Sequence, residues 1–303
     1  MRGIGLSQQT GTLCALLRLC RLPFILGGLL LFLLGAYTAG DPFAVPDRLL
    51  LCYLVLAAGQ VSVSLSNDYF DRQADRPGMR TRISGGSGVL ISRPDLAGAA
   101  RSLALVLIGI SLALALLCAI FYPLPPYFLP FVLAGNLVGW YYTAPPLSLA
   151  YRGLGEAATM LTFGFFMPGT GYLAAGGLFD LSFALFILPL LFAGLFFILS
   201  VEMPDREGDH AAGKENFVVR SGRRNAFIAM FLAAAAISLL LPAAWSAPPQ
   251  VLAASLLPVF AGAIPLLHPP VDRREIICAA ELNLAALIAF ILVACLAAAG
   301  VFA

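Results

Sequence analysis

The chain is poor in charge: Asp, Glu, Lys and Arg make up 11% of its 303 residues, and 60% are hydrophobic, with a mean hydropathy of +0.92. A soluble domain carries about a quarter charged residues, so this composition excludes one and places the chain in a membrane. The net charge of +2 is too small to suggest nucleic acid as a partner. Histidine is scarce as well: His210 and His268 stand alone, neither with a partner at metal-site spacing. The cysteines, Cys14, Cys20, Cys52, Cys118, Cys278 and Cys295, show no metal-ligand spacing either. They read as buried free thiols acting as small apolar side chains. No stretch has the length and polarity of a separate soluble module, and no span core clearly contains an ionisable residue.

What the chain has is long apolar runs. A helix crosses a bilayer with ~20 residues, and nine segments come near or exceed that length. They lie near Leu22–Gly40, Leu49–Ser66, Leu103–Phe121, Phe128–Tyr142, Ala157–Gly176, Leu181–Val201, Ala226–Trp245, Val251–Leu267 and Leu282–Val301. The first run is long for a signal peptide and is followed by eight more, so it is read as a span. Placing the N-terminus in the cytoplasm puts 17 of the 18 basic residues in inner segments and leaves only Arg48 outside. Positive charge gathers in cytoplasmic loops. The expected fold class is therefore all-α, a polytopic bundle of nine transmembrane helices forming one domain over residues 1–303. The C-terminus is expected outside, and the cell membrane is the expected location.

The two longest polar segments, 67–102 and 202–225, both fall on the cytoplasmic side. Asp68, Asp71 and Asp75 are spaced by three and four residues, and Glu202, Asp205 and Asp209 repeat that spacing 134 positions later. Residues three and four apart share a helix face, so each triplet would present a column of carboxylates at the inner end of a span. Such columns repel themselves and call for a cation. Hard oxygen ligands select Mg²⁺, Ca²⁺ or Mn²⁺, and Mg²⁺ completes its shell with water and substrate phosphates. Two facing columns would cradle a metal-bound diphosphate, with Arg72, Arg80, Arg82 and Lys214 available to the remaining phosphate oxygens. Ion-coupled transport is the alternative from another class. It calls for polar residues through the bundle, whereas these acids sit at one face.

"NDYFDRQAD" (67–75), "YYTAPPLSLAYRGLGE" (141–156) and "EMPDREGDHAAGKEN" (202–216) resemble, in order, three motifs of the UbiA-type intramembrane prenyltransferases. With the nine-span layout they cover nearly the whole chain. The resemblance implies helices around a central cavity and transfer of an isoprenoid from its diphosphate to an acceptor, usually an aromatic ring, with Mg²⁺ as cofactor. It implies that Asn67, Asp68, Asp71 and Asp75 form one metal–diphosphate half-site and Glu202, Asp205 and Asp209 the other. Tyr142 and Thr143 would stand beside the reacting carbon, and Arg152 and Arg18 would contact diphosphate or acceptor. The partners it implies are an isoprenyl diphosphate, an aromatic acceptor and the bilayer, with no protein partner required. The wording is similar to relatives of the dihydroxynaphthoate prenyltransferases of menaquinone synthesis. A terpene cyclase of the same superfamily is the alternative within it.

Two further features carry expectations. The glycines of "SGGSG" (84–88) permit a tight loop with exposed backbone N–H groups, suited to a phosphate lid or a plain turn. "LTFGFF" (161–166) and "LLFAGLFF" (190–197) offer aromatic faces to an allylic cation, although most of the 22 phenylalanines are expected to pack or face lipid.

Overall fold

The computed structural model describes residues 14–72, 86–245 and 247–302. Among them there is no β-strand. The main helices are α1 (Leu22–Ala39), α2 (Pro46–Asp71), α3 (Ala97–Phe121), α4 (Phe128–Tyr141), α5 (Gly155–Leu161), α6 (Met167–Ala174), α7 (Leu181–Glu202), α8 (Arg206–Ala211), α9 (Phe217–Ala244), α10 (Pro249–Leu267) and α11 (Arg273–Ala298). α1, α2, α3, α9, α10, α11 and the segment that begins with α7 are long and apolar enough to cross a membrane, seven among the described residues.

The other two expected spans take different forms. α4 has 14 residues, ~21 Å of helix against a hydrocarbon core of ~30 Å. The expected fifth span is helical from Gly155 to Ala174 but is divided by a π turn at Thr162–Phe166. Pro168 has no N–H to give the Gly164 carbonyl, so the regular ladder fails there and the turn ahead of it widens.

Local chemistry sets the element ends. Asp180 caps α7 by accepting from Phe183 N at 2.9 Å, and Asp272 caps α11 through Glu275 N at 2.8 Å, each satisfying an otherwise orphaned donor. Asn216 caps α9 through Val219 N at 2.9 Å. Gly222, at φ 79°, breaks the regular path of α9, so its first turns are offset from its long apolar part.

α2 lies along α3, α1 along α6, and α7 along α9, while α10 joins α9 and α11. The largest core cluster includes Leu34, Phe186, Phe196, Met230 and Phe290. A second cluster, with Phe32, Cys52, Cys118 and Phe128, fills the half of the bundle remote from Asp71. Cys52, Cys118 and Cys295 are buried as expected, Cys20 is half-buried, and Cys14 and Cys278 are exposed on the surface instead. Among the described residues, no helix packs over these two positions.

Three contacts fix how α4 to α6 run. After α4, Thr143 donates to Asn67 Oδ1 at 2.9 Å and Tyr151 donates to Asp71 Oδ1 at 2.8 Å. At the opposite end, Phe179 N donates to the Tyr127 hydroxyl at 3.0 Å. The loop of residues 142–154 therefore sits at the acidic end of the bundle, and the loops flanking α4 and α6 meet at the other.

Candidate active site

One cavity of about 680 Å³ runs into the bundle from the acidic end. Asn67, Asp68, Asp71, Tyr142, Glu202, Asp205, Asp209 and Lys214 line it, together with Phe24, Phe131, Phe163, Phe166 and Phe197. Phe163 and Phe197 stack with ring centres 5.4 Å apart. Phe165, Phe192 and Phe196 from the same two sequence stretches pack into the core instead.

The first acidic motif is delivered by the last turn of α2. Asp68 is 3% exposed and pairs with Arg21 at 2.6 Å. It also accepts from Ser87 N at 3.1 and 3.0 Å and from the Ser87 hydroxyl. Gly86 and Gly88 adopt positive φ, 70° and 67°, which glycine alone tolerates freely, and this folds Ser87 back onto Asp68. The Ser87 N–H is thus engaged by a carboxylate; of the two roles open to the glycine-rich stretch, a phosphate lid or a plain turn, this N–H does not serve the first.

The second motif changes conformation as it goes. Glu202 ends α7, Asp205 ends a 3₁₀ turn at Met203–Asp205, and Asp209 lies in α8. Lys214 bridges the two motifs, 3.2 Å from Asp71 Oδ2 and 3.1 Å from Asp209 Oδ1. Burial alone would lower the Lys214 pKa, but the Asp71 and Asp209 carboxylates outweigh it and hold the ammonium well above the ordinary lysine value. Asn216 Nδ2 donates to Asp209 Oδ2 at 2.7 Å, so one residue both caps α9 and orients an acid. Glu202 is buried, and its Oε2 has no hydrogen-bond partner. Among the described residues, no three His, Cys, Asp or Glu side chains gather closely enough to hold a metal ion. Lys214 and Arg21 offset part of this acidic charge.

The remaining expected residues are placed as follows. Thr143 is buried and orients Asn67 from behind the cavity wall. Arg72 lies over the Tyr69 ring, 4.2 Å from its centre, and does not line the cavity. Arg18 and Arg152 are exposed away from it. Asp75, Arg80 and Arg82 lie outside the described residues. His210 and His268 are exposed.

Sequence reasoning passed over Arg21, Tyr151 and Glu156. Arg21 has a left-handed backbone (φ 48°) between the helical turn over 14–19 and α1, which aims its guanidinium at Asp68. Glu156 is buried and accepts from Phe217 N, tying the start of α9 to α5. Gln60, Ser64, Asn67 and Asp71 all line the cavity, and their spacing of four, three and four on α2 was a readable signal.

The UbiA prenyltransferase family matches residues 22–276 of the sequence. The chain belongs to that family. This UbiA prenyltransferase is accordingly an enzyme of the prenyl-transferring kind. Solved structures share its fold. A UbiA homolog from Archaeoglobus fulgidus bound to DMAPP and Mg²⁺ has a TM-score of 0.66 at 19% identity, over 91% of this chain and 98% of that one. The same homolog bound to GPP and Mg²⁺ gives 0.65 at 18% identity, over 92% and 99%. A structure described as concerning the biosynthesis of digeranylgeranylglyceryl phosphate synthase in membranes gives 0.61 at 19% identity, over 93% and 98%. No curated protein sequence matches the chain.

Proposed function

We propose that this UbiA prenyltransferase moves a polyprenyl group from its diphosphate to an aromatic quinone precursor, with Mg²⁺, in the cell membrane. The observation that carries the reading is a single cavity with carboxylates and one lysine at its mouth and phenylalanines along its walls. A diphosphate fits the mouth, and an isoprenoid fits the walls.

The donor set suits a hard divalent cation: Asp68, Asp71, Glu202, Asp205 and Asp209 offer only oxygen to one cavity end, and Glu202 Oε2 is buried unpaired. These residues, with Asp75, would hold Mg²⁺, which when bound neutralises charge on the leaving diphosphate. Lys214 is placed to exchange its carboxylate partners for phosphate oxygens, and Arg21 to do the same beside Asp68. The aromatic walls exclude water from the allylic carbon as the C–O bond lengthens, and the Phe163 and Phe197 faces favour positive charge there. Asn67, oriented by Thr143, and Tyr142 stand beside the reacting carbon. Arg72, Arg80, Arg82, Arg152 and Arg18 are proposed as further contacts to phosphate or acceptor.

We further propose nine crossings with the acidic end in the cytoplasm and the C-terminus outside. The contacts of residues 143 and 151 at the acidic end, and of 127 and 179 at the other, support it. The basic-residue asymmetry supports the direction.

The test is diphosphate release by the protein in lipid with Mg²⁺ and geranylgeranyl diphosphate. Dihydroxynaphthoate, 4-hydroxybenzoate, homogentisate and a glyceryl ether phosphate would be supplied in turn, and products identified by mass. A prenylated ring formed with one acceptor is the expected result. Acceptor-independent release yielding a cyclic hydrocarbon makes the protein a cyclase, and prenylation of the glyceryl ether alone replaces the aromatic acceptor.

A further inference from the structure

At the cavity mouth Asp71 is held by two donors of different kinds. The Tyr151 hydroxyl donates to Oδ1 at 2.8 Å, and Lys214 Nζ stands 3.2 Å from Oδ2. Asp71 lines the cavity and its side chain is 14% exposed, so a ligand inside can reach the carboxylate. Tyr151 does not line the cavity. Its hydroxyl therefore acts on whatever binds there only through Asp71.

The loop of residues 142–154 holds that hydroxyl in a fixed frame. Ala150 N donates to the Tyr142 carbonyl at 2.9 Å and Tyr151 N to the Ser148 carbonyl at 2.8 Å, closing a 3₁₀ turn at Leu149–Tyr151. Thr143 and Tyr151 grip Asn67 and Asp71, which lie one turn apart on the same face of α2. Gly153, at φ 70°, lets the loop pack on the segment after Lys214, because a Cβ there would come within 3.0 Å of the Glu215 carbonyl. Lys214 Nζ in turn lies 5.6 Å from the centre of the Tyr151 ring.

The two oxygens of Asp71 are thus not equivalent. Lys214 has Asp209 as a second carboxylate, and its exchange of Asp71 for a phosphate oxygen releases Oδ2. The Tyr151 hydroxyl is fixed by the backbone bonds of its own loop and stays on Oδ1. To clamp one ion with both oxygens, the carboxylate would have to turn away from that hydroxyl. Mg²⁺ takes few carboxylates in a strict octahedron, whereas Ca²⁺ accepts more oxygens, often both from one carboxylate, in looser geometry.

We propose that Tyr151 is a positioning residue that makes Asp71 a one-oxygen ligand and so selects Mg²⁺ over Ca²⁺ at this site. The inference rests on the reading that Asp71 holds the cation, and deepens it by naming what selects the ion. It does not depend on the acceptor.

Binding rather than turnover tests it. The full chain in lipid nanodiscs, with a non-hydrolysable geranylgeranyl thiodiphosphate, is titrated calorimetrically with magnesium or calcium chloride. Tyr151→Phe removes only the hydroxyl. It is expected to weaken Mg²⁺ binding by about tenfold, the scale of losing a group that orients a metal ligand, and to leave Ca²⁺ binding unchanged or tighter. The preference for Mg²⁺ then narrows by at least the same factor. In an Asp71→Asn background, Tyr151→Phe is expected to change neither affinity, because the hydroxyl acts through that carboxylate. Equal weakening of both ions, no change in either, or a further loss in the double variant overturns the proposal. If Asp71→Asn alone leaves Mg²⁺ affinity intact, the reading of Asp71 as a ligand falls as well. If Asp71→Asn weakens Mg²⁺ and Tyr151→Phe does not, this inference falls and that reading stands.

Discussion

Lys214 holds together two carboxylates that would otherwise face each other across the cavity mouth. Its side chain is 15% exposed and its partners Asp71 and Asp209 are similarly shielded, so this pair escapes most of the screening that weakens surface ion pairs. Leaving such partners uncompensated costs up to about 3 kcal/mol. Lys214→Met is expected to lower the melting temperature in detergent and to reduce turnover by about 100-fold through loss of a phosphate ligand. Mg²⁺ should then raise the melting temperature of the variant more than that of the parent; equal shifts would show that the lysine and the cation do not share these carboxylates. The raised Lys214 pKa keeps this contribution below the ordinary lysine value and removes it only as pH rises through the elevated one, so no loss of stability from this group is expected near neutrality. Asp71→Ala and Asp205→Ala are expected to abolish turnover while leaving a folded protein, and full activity in both would sink the acidic cradle. The gathering of Asp68, Asp71, Glu202, Asp205, Asp209 and Lys214 at one cavity end was readable from spacing and charge, but the second triplet spans α7, a 3₁₀ turn and α8 rather than one helix column. Arg21 and Tyr151 were not, because their partners lie 47 and 80 residues away, and nothing local in the chain marks a long-range pair.

At the scale of elements, α1 and α6 approach so closely that glycine is obligatory on both. A Cβ on Gly35 would collide with the Pro168 carbonyl, and one on Gly171 with the Phe32 carbonyl. Backbone cannot yield as a side chain does, so Gly171→Ala is expected to destabilise the fold by about 3 kcal/mol, at the upper end of overpacking costs. Gly109→Ala on α3 meets nothing within 4 Å and is expected to be neutral or stabilising by about 0.5 kcal/mol. Thermal unfolding in detergent compares them, and equal melting temperatures would mean that α1 and α6 are not packed this tightly. Hydropathy located nearly every helix because each needs a long apolar run. It did not reveal that the fifth run is interrupted at the π turn ahead of Pro168, where Gly164 lets the chain approach the Leu190–Leu191 backbone, and that contact is tertiary.

For the whole molecule, the number of crossings decides which side of the membrane the cavity opens to. Counting only uninterrupted long helices gives seven; adding α4 and the divided α5–α6 segment gives nine. Both totals are odd, so locating the two termini cannot separate them. The loop between those two segments can. If α4 and α5–α6 did not traverse, the loop of residues 142–154 would stay at the end where α3 finishes and α7 begins. Yet Thr143 and Tyr151 bond to Asn67 and Asp71 at the opposite end. A 14-residue helix reaches that far only if its flanking segments or a thinned bilayer supply the remaining ~9 Å. Leu147 and Leu178 are exposed, one in each loop in question. With the six native cysteines replaced, Leu147→Cys in sealed vesicles is expected to react with an impermeant maleimide only from the cytoplasmic side, and Leu178→Cys only from the other. Labelling of both from one side would remove the two short crossings, and with them the placement of the 142–154 loop beside the acidic motifs.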